Sequence, residues 1–115
     1  MKALILAAGY ATRLYPLTKD FPKPLLDIGP RKMLDILLDC LRPIGLSETI
    51  LVTNHKFVGH FQSWAKTAAM PVTILDDGTL SENDRLGAVG DMRFAVRACK
   101  IREPLLVIAG DNLFD

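Results

Sequence analysis

Four short apolar runs, each bounded by polar or turn residues, divide the chain into a series of predicted strands. They lie at residues 3–8, 49–53, 72–75 and 105–109. The runs are nearly continuous rather than alternating with polar residues, which is typical of strands in a sheet that is covered on both faces. The pattern therefore predicts four buried strands with helices packed on both sides.

Between these strands, apolar residues recur at the spacing of one helix face. The three stripes are Met33, Ile36, Leu37 and Leu41; Phe57, Phe61, Trp64 and Ala68; and Val89, Met92, Val96 and Cys99. Strands that alternate with helices form βαβ units, which close as a parallel sheet with right-handed crossovers. The expected fold class is α/β, a Rossmann-like three-layer α/β/α arrangement with a mainly parallel sheet. Because the last strand lies close to Asp115, the sheet looks truncated and would leave a strand edge to be covered.

Composition limits the function classes. A chain of 115 residues that is 50% hydrophobic is one domain's worth of polypeptide, so residues 1–115 are treated as a single unit. Fourteen basic and thirteen acidic residues give a net charge of +1, which provides no overall field to attract nucleic acid or an anionic membrane. The apolar run at 3–8 is too short to span a membrane. We therefore expect a cytoplasmic protein and leave homo-oligomer formation open.

The cysteines and histidines offer no metal or disulfide framework. Cys40 and Cys99 both lie within apolar helical patterns, so we expect buried thiols. His55 and His60 are too far apart in the chain to form a ligand pair on one helix face, and we expect both at the surface.

The end of the first predicted strand carries the most informative residues. The strand runs into Ala7, Ala8 and Gly9, and ligands of open α/β sheets bind at such carboxyl ends. Small residues and a glycine let the backbone approach a ligand, so that main-chain amides can reach phosphate oxygens. Arg13, in the same loop, is always charged and can hold two phosphate oxygens in a fork.

A second cation is held in a stiff segment. Lys23 stands between Pro22 and Pro24, which restrict its backbone while its ammonium group acts as a point charge. Each of these features also has a purely structural explanation: a tight turn after a strand, a solvated arginine, or a rigid Pro-Lys-Pro turn. Their combination is more informative than any one of them.

The combination resembles the signature of the sugar-phosphate nucleotidyltransferases, the NDP-sugar pyrophosphorylases that include glucose-1-phosphate thymidylyltransferases. The family pattern is Leu-Ala-(Ala/Gly)-Gly, two variable residues, Thr-Arg-Leu, then Pro-Leu-Thr and Pro-Lys-Pro-Leu. This chain matches it at residues 6–9, 12–14, 16–18 and 22–25. It departs at Ala11, where many members carry glycine, so its loop should be slightly stiffer.

The resemblance implies that the chain is the N-terminal, nucleotide-binding part of an enzyme that transfers NMP from an NTP to a sugar-1-phosphate, forming an NDP-sugar and releasing pyrophosphate. Arg13 and Lys23 would be the catalytic cations, Arg13 on the triphosphate and Lys23 where the phosphates of the two substrates meet. The family's metal-binding aspartate corresponds to Asp111, which would hold Mg²⁺ together with NTP oxygens. The residues that would line the nucleotide are Leu6, Ala7, Ala8, Gly9, Thr12, Arg13 and Gly87.

Two positions keep alternative interpretations. Residues 76–88 correspond to the segment in which family members read the base, and Leu86-Gly87-Ala88 resembles the family's Leu-Gly-Thr-Ala. Asn83 or Asp84 in this segment fits a helix cap as well as a base contact. Asp115 is either a second acid near the metal or a solvated chain end.

Rival functions remain open at this stage. Family members are longer, and their later half supplies most of the sugar pocket and a second metal-binding aspartate. A non-catalytic nucleotide-binding or regulatory domain is therefore the main alternative. A dinucleotide-binding module is disfavoured because the chain has no G-x-G-x-x-G and no acid at the end of the second strand. The base and the phosphorylated acceptor are not determined by the sequence.

Overall fold

The computed structural model describes residues 1–9, 21–80 and 86–110, apart from the side chain of Ala88. It contains the four predicted strands and the three predicted helices, together with a small hairpin and two short 3-10 turns. In chain order the elements are β1 (Lys2–Ala7), a 3-10 turn (Lys23–Leu25), β2 (Asp27–Ile28), β3 (Arg31–Lys32), α1 (Met33–Leu41), a 3-10 turn (Arg42–Ile44), β4 (Glu48–Thr53), α2 (Val58–Ala65), β5 (Thr73–Asp76), α3 (Gly87–Cys99) and β6 (Leu105–Ala109).

The main sheet has four strands in the order β5-β4-β1-β6, and all of its pairings are parallel. β1 is central among them: its Ala7 is paired with Thr53 of β4, and its Leu6 with Ala109 of β6. The expected α/β class with a parallel sheet is confirmed. The antiparallel pair β2–β3 was not predicted, because two-residue strands carry no periodicity.

Helices cover both faces of the sheet. On one face, α1 and α2 pack against alternate strand residues such as Ile5 and Leu51. On the other face, Leu4, Ile50 and Val52 pack with Ala95 of α3. Successive strand residues point to opposite faces, so nearly continuous apolar runs are what a sheet with two covered faces requires.

The predicted stripe on α3 was right for Met92 and Cys99, which pack against the sheet, and wrong for Val89 and Val96. Val89 and Val96 are 62% and 38% exposed, whereas Asp91 and Ala95 are buried. The helix places the small side chain of Ala95 against the sheet, and Asp91, one turn earlier, shares that face. The sequence pattern missed this arrangement because it did not count a carboxyl group as a core residue.

The cysteines also differ from expectation. Cys40 is exposed, because α1 buries a face made of Met33, Leu34, Leu37, Leu38 and Leu41. Cys99 is half-buried. Both histidines are exposed, as predicted. Within the described part of the chain, no helix combines the length and the apolar character that a bilayer span needs.

Candidate functional site

The carboxyl end of β1 leaves its backbone open to an approaching ligand. Ala8, which follows the strand, is 4% exposed, and Gly9 is exposed. Among the described residues, no atom beyond its chain neighbours lies within 4 Å of the place where a side chain at Gly9 would begin. The predicted phosphate-binding backbone at Ala8 and Gly9 is therefore well placed for a ligand at the carboxyl edge of the sheet.

Asn54 ties the end of β1 to its neighbour. Its side chain is completely buried, its Nδ2 donates to the carbonyl of Ala8 at 3.0 Å, and its Oδ1 accepts from the amide of Phe57 at 2.9 Å. One side chain thus fixes both the loop that follows β1 and the entry into α2. Asn54 was not among the site residues predicted from the sequence; the signal that could have found it is a polar residue directly after an apolar strand.

Gly110 fixes the end of β1 on its other side, next to β6. Its amide donates to the carbonyl of Leu6 at 2.9 Å. A Cβ atom at this position would lie 3.2 Å from that carbonyl oxygen and 3.2 Å from Cγ of Pro24. The glycine therefore lets the end of β6, the end of β1 and the Pro-Lys-Pro turn come together.

The Pro-Lys-Pro segment is an ordered turn, as expected. Pro22 and Pro24 are buried, and Lys23 between them is half-buried. The amide of Leu25 donates to the carbonyl of Pro22 at 3.1 Å, and that of Leu26 to the carbonyl of Lys23 at 3.0 Å. These bonds fix the backbone from which the Lys23 side chain extends.

The turn that follows β5 is also fixed by hydrogen bonds at the carboxyl edge of the sheet. The amide of Asp77 donates to the carbonyl of Thr53 at 2.8 Å, which continues the strand pairing by one step. Oδ1 of Asp77 accepts from the amide and the hydroxyl of Thr79, at 2.9 and 2.8 Å. The carbonyl of Thr79 accepts from the amide of His55 at 2.8 Å. The start of the predicted base-reading segment is therefore fastened to β4.

Asp91 of α3 meets this turn from the opposite side. It is 6% exposed, and its burial, followed by its hydrogen bond with Asp77, raises the pKa of its carboxyl group to about 7. Among the described residues, Oδ1 of Asp91 and Oδ2 of Asp77 are buried oxygens without a hydrogen-bond donor. Two carboxyl groups in such surroundings cannot both carry a full charge at low cost.

Gly87 begins α3 with an unusual backbone. Its φ of 75° is one that residues with a Cβ rarely adopt, and the space beside its Cα is open. Leu86 occupies the N-cap position, without a side-chain hydrogen bond to the helix. An exposed glycine backbone of this kind can lie against a flat ring.

Several predicted residues fall outside the described ranges. They are Thr12, Arg13, Asn83, Asp84, Asp111 and Asp115. Asp111 directly follows Gly110 in the chain. Within the described ranges, no group of three or more His, Cys, Asp or Glu residues could hold a metal ion.

A separate groove lies between the two helices on one face of the sheet. It has a volume of about 660 Å³, and its walls include Phe21, Lys32, Lys56, His60 and Trp64. None of the sequence-predicted site residues that the structure describes lines it. We place the functional site at the strand ends instead, because backbone groups and glycines converge there.

A parallel α/β sheet with open glycine backbone at its carboxyl edge defines a nucleotide-binding type of domain. The chain belongs to the nucleotidyl transferase family, whose sequence profile matches residues 2–115.

Individual relatives agree with this assignment. Mannose-1-phosphate guanylyltransferase 1 of Arabidopsis thaliana is 45% identical over 117 residues, which cover 99% of this chain and 29% of that protein. Mannose-1-phosphate guanyltransferase of Pichia angusta is 33% identical over 115 residues, covering 96% of this chain and 30% of that protein. This chain therefore spans less than a third of either relative.

Solved structures give the same result. HddC from Yersinia pseudotuberculosis is 32% identical with a TM-score of 0.70, and the match covers 96% of this chain and 47% of that one. The same protein complexed with GMP-PN gives a TM-score of 0.71. The inositol-1-phosphate CTP transferase from T. maritima has a TM-score of 0.76 at 18% identity, over 96% of this chain and 43% of that chain, which supports the fold alone.

A Gly110→Ala substitution should destabilise the protein, because the new methyl group would press on the Leu6 carbonyl and on Pro24. We expect a loss of about 1–3 kcal/mol in the free energy of unfolding, measured by urea denaturation. Gly59→Ala is the matched control: it lies in α2 with open space around it and should be neutral or stabilising by about 0.5–1 kcal/mol. Equal effects of the two substitutions would contradict the close approach at Gly110.

An Asn54→Ala substitution removes both side-chain hydrogen bonds that join Ala8 to Phe57 and leaves buried backbone groups without partners. We expect a loss of about 2–4 kcal/mol in the free energy of unfolding. The amide of Phe57 should also lose protection against hydrogen exchange. Thr67→Ala, at an exposed position in contact with Trp64, should change stability by less than about 1 kcal/mol. Unchanged exchange at Phe57 would argue against the role of Asn54.

Proposed function

We propose that this chain is the nucleotide-binding part of a sugar-1-phosphate nucleotidyltransferase, which transfers NMP from an NTP to a sugar-1-phosphate and releases pyrophosphate. One observation carries the proposal: the end of β1, Gly110 and the Pro-Lys-Pro turn meet at a single point in a chain that matches the nucleotidyl transferase family. These are the segments on which the sequence signature depends.

GTP is the donor that we favour, and mannose-1-phosphate is the first acceptor to test. Two relatives that align with almost all of this chain are named mannose-1-phosphate guanyl- or guanylyltransferases. A structural neighbour at 32% identity is described in complex with GMP-PN, a guanine nucleotide analogue. These names support a guanine nucleotide over the other donors that the sequence left open.

The binding mode follows from the two glycine backbones. Gly9 and Gly87 are exposed, with open space where a side chain would otherwise stand. We assign the phosphates to the loop that begins at Ala8 and Gly9, with Leu6, Ala7 and Thr12 completing its lining. The base would lie against Gly87. Arg13 would hold the triphosphate through its guanidinium fork.

The reaction is a displacement at the α-phosphorus of the NTP. An oxygen of the sugar-1-phosphate forms the new bond to that phosphorus, and the bond to the bridging oxygen of the β-phosphate breaks, so that pyrophosphate leaves on the opposite side. Lys23 would stabilise negative charge where the two sets of phosphates meet. Positioning and charge stabilisation by the protein are sufficient for this chemistry.

Mg²⁺ is the metal that we propose for this site. The fit rests on Gly110, which is held beside Leu6 and Pro24, because Asp111 is the next residue in the chain. A carboxylate together with phosphate oxygens is a ligand set that Mg²⁺ prefers. When bound, Mg²⁺ would neutralise phosphate charge as the leaving group departs.

A nucleotide-binding domain without transferase activity is the second candidate. It is the main alternative that the sequence leaves open. This reading predicts nucleotide binding without pyrophosphate release. A cytoplasmic location, homo-oligomer formation and the lack of nucleic-acid or membrane partners remain predictions from the sequence.

Titration calorimetry with each NTP, with and without Mg²⁺, tests the binding proposal directly. We expect saturable, Mg²⁺-dependent binding of GTP at least about tenfold tighter than that of the other NTPs, a difference of about 1.4 kcal/mol. Addition of mannose-1-phosphate should then release pyrophosphate, which a coupled phosphate assay detects. Binding without release would favour the non-catalytic candidate, whereas no binding of any NTP would contradict both.

A Lys23→Ala substitution separates catalysis from binding. We expect the turnover number of the native polypeptide to fall by about 10²-fold or more, with GTP affinity changed by less than about threefold, because the ammonium group would act on charge that develops in the transition state. Lys66→Ala, an exposed lysine at the end of α2, is the matched control and should leave both quantities unchanged. Equal losses in turnover and affinity would show that Lys23 binds the ground state instead.

A further inference from the structure

A pair of carboxyl groups joins the end of β5 to α3. Asp91 is 6% exposed, and burial together with the neighbouring carboxyl group of Asp77 raises its pKa. Oδ1 of Asp77 is already occupied by two donors from Thr79. The remaining inner oxygens, Oδ2 of Asp77 and Oδ1 of Asp91, are buried and have no donor among the described residues. A hydrogen bond between two carboxyl groups needs a proton on one of them.

The other charged groups on the elements around the pair are paired elsewhere or exposed, so none of them takes the place of the shared proton. On the strands that α3 covers, Lys2 and Glu48 form an ion pair at the amino end of the sheet, away from Asp91. On the β5 side, the carboxylate of Asp76 is paired with the ring of His55. On α3 itself, Arg93 and Arg97 are exposed. Among the described residues, Asp77 is the charged group that raises the pKa of the Asp91 carboxyl group.

A metal cation is a poorer match for the pair. Mg²⁺ and Ca²⁺ require six or more oxygen ligands. The pair offers two inner oxygens, and the neighbouring hydroxyl of Thr79 is donating to Asp77 at 2.8 Å. A shared proton satisfies both oxygens with no further ligand, as in other closely spaced carboxyl pairs.

We propose that Asp77 and Asp91 share one proton, and that this protonated pair positions the turn at residues 76–79 against α3, so that nucleotide binding weakens when the proton is lost. The effect on nucleotide binding rests on the proposed function, because Gly87 starts the same helix and residues 76–88 form the predicted base-reading segment. The effect on stability does not rest on it.

The direction of the pH dependence follows from proton binding. Burial and the Asp77 carboxyl raise the pKa of Asp91 to about 7 in the folded chain, well above that of an unfolded aspartate. The folded state therefore keeps a proton that the unfolded chain releases between about pH 4 and 7. The stabilising contribution is complete below that window, declines through it, and is absent above about pH 7.

Asp91→Asn tests the pair, because an amide can donate to Asp77 at every pH. Asp27→Asn, at a carboxyl group whose side chain is 70% exposed, is the matched control. Between pH 5 and 8 the melting temperature of the control should fall by roughly 8–16 °C more than that of Asp91→Asn. Over the same range without nucleotide, infrared spectra of the unmodified protein should show one protonated carboxyl group disappearing near pH 7. This second measurement needs no variant.

The proposed effect on nucleotide binding is tested by measuring the affinity of both variants for GTP at pH 6 and 8. The ratio of the affinities of the two variants should change by about fivefold or more, since titration of the nucleotide's own phosphates affects both equally. Parallel melting curves, or no carboxyl titration between pH 5 and 8, would overturn the shared proton. Stabilisation at pH 8 by Mg²⁺ or Ca²⁺ without nucleotide, lost in Asp91→Asn, would overturn it in favour of a bound cation.

The outcomes separate this inference from the proposed function. If the melting curves differ as expected but neither variant binds any NTP, the proposed function fails and the positioning role fails with it, while the shared proton stands. If GTP binds and the affinity ratio stays constant with pH, the proposed function stands and the positioning role is wrong.

Discussion

The hydrogen bonding of β1 on both of its edges is the constraint on which the candidate site depends. β1 is in parallel register with β4 through Ala7 and Thr53, and with β6 through Leu6 and Ala109. Parallel strands that are in register end at the same edge of the sheet, so their following residues are brought together without any attraction among them. The position of the site is thus a consequence of strand pairing, and the site residues only have to suit that position.

That edge creates a problem of its own, because a strand that stops inside a protein leaves backbone groups to be satisfied. The chain solves it differently at each neighbour of β1. Toward β4, the Asn54 side chain reaches back to the carbonyl of Ala8. Toward β6, the pairing is continued by the amide of Gly110, which binds the Leu6 carbonyl at a distance that leaves no room for a Cβ. The backbone at Gly9 can therefore stay open while the residues around it are fixed.

The sequence was sufficient for the parts of the fold that rest on repeated apolar contacts. All four strand runs and the buried positions of α2, Phe61 and Trp64, followed from spacing. The β2–β3 hairpin did not, since its pairing is set by a two-residue connection. Part of the buried face of α3 was missed for a different reason: apolar periodicity gives Asp91 no weight, and the burial of a carboxyl group depends on a partner, Asp77, that is distant in the chain. Motif matching predicted roles for Lys23 and Gly87 but gave none to Asn54, whose side chain bonds to the backbone of Ala8 and Phe57.

The contacts on the two sides of the candidate site differ in how they depend on solution conditions. Next to β6, the close approach of Gly110 to Leu6 and Pro24 is steric and does not change with solution conditions. Next to β5, the contact between the Asp77 turn and α3 depends on a hydrogen bond between two acids, which exists in one protonation state. An apolar pair at these positions would hold α3 at any pH, but it could not also accept the amide and hydroxyl of Thr79 that shape the turn. The turn therefore requires an oxygen acceptor at position 77, which a carboxylate provides, and a second carboxyl group packed against it makes that end of the candidate site sensitive to pH.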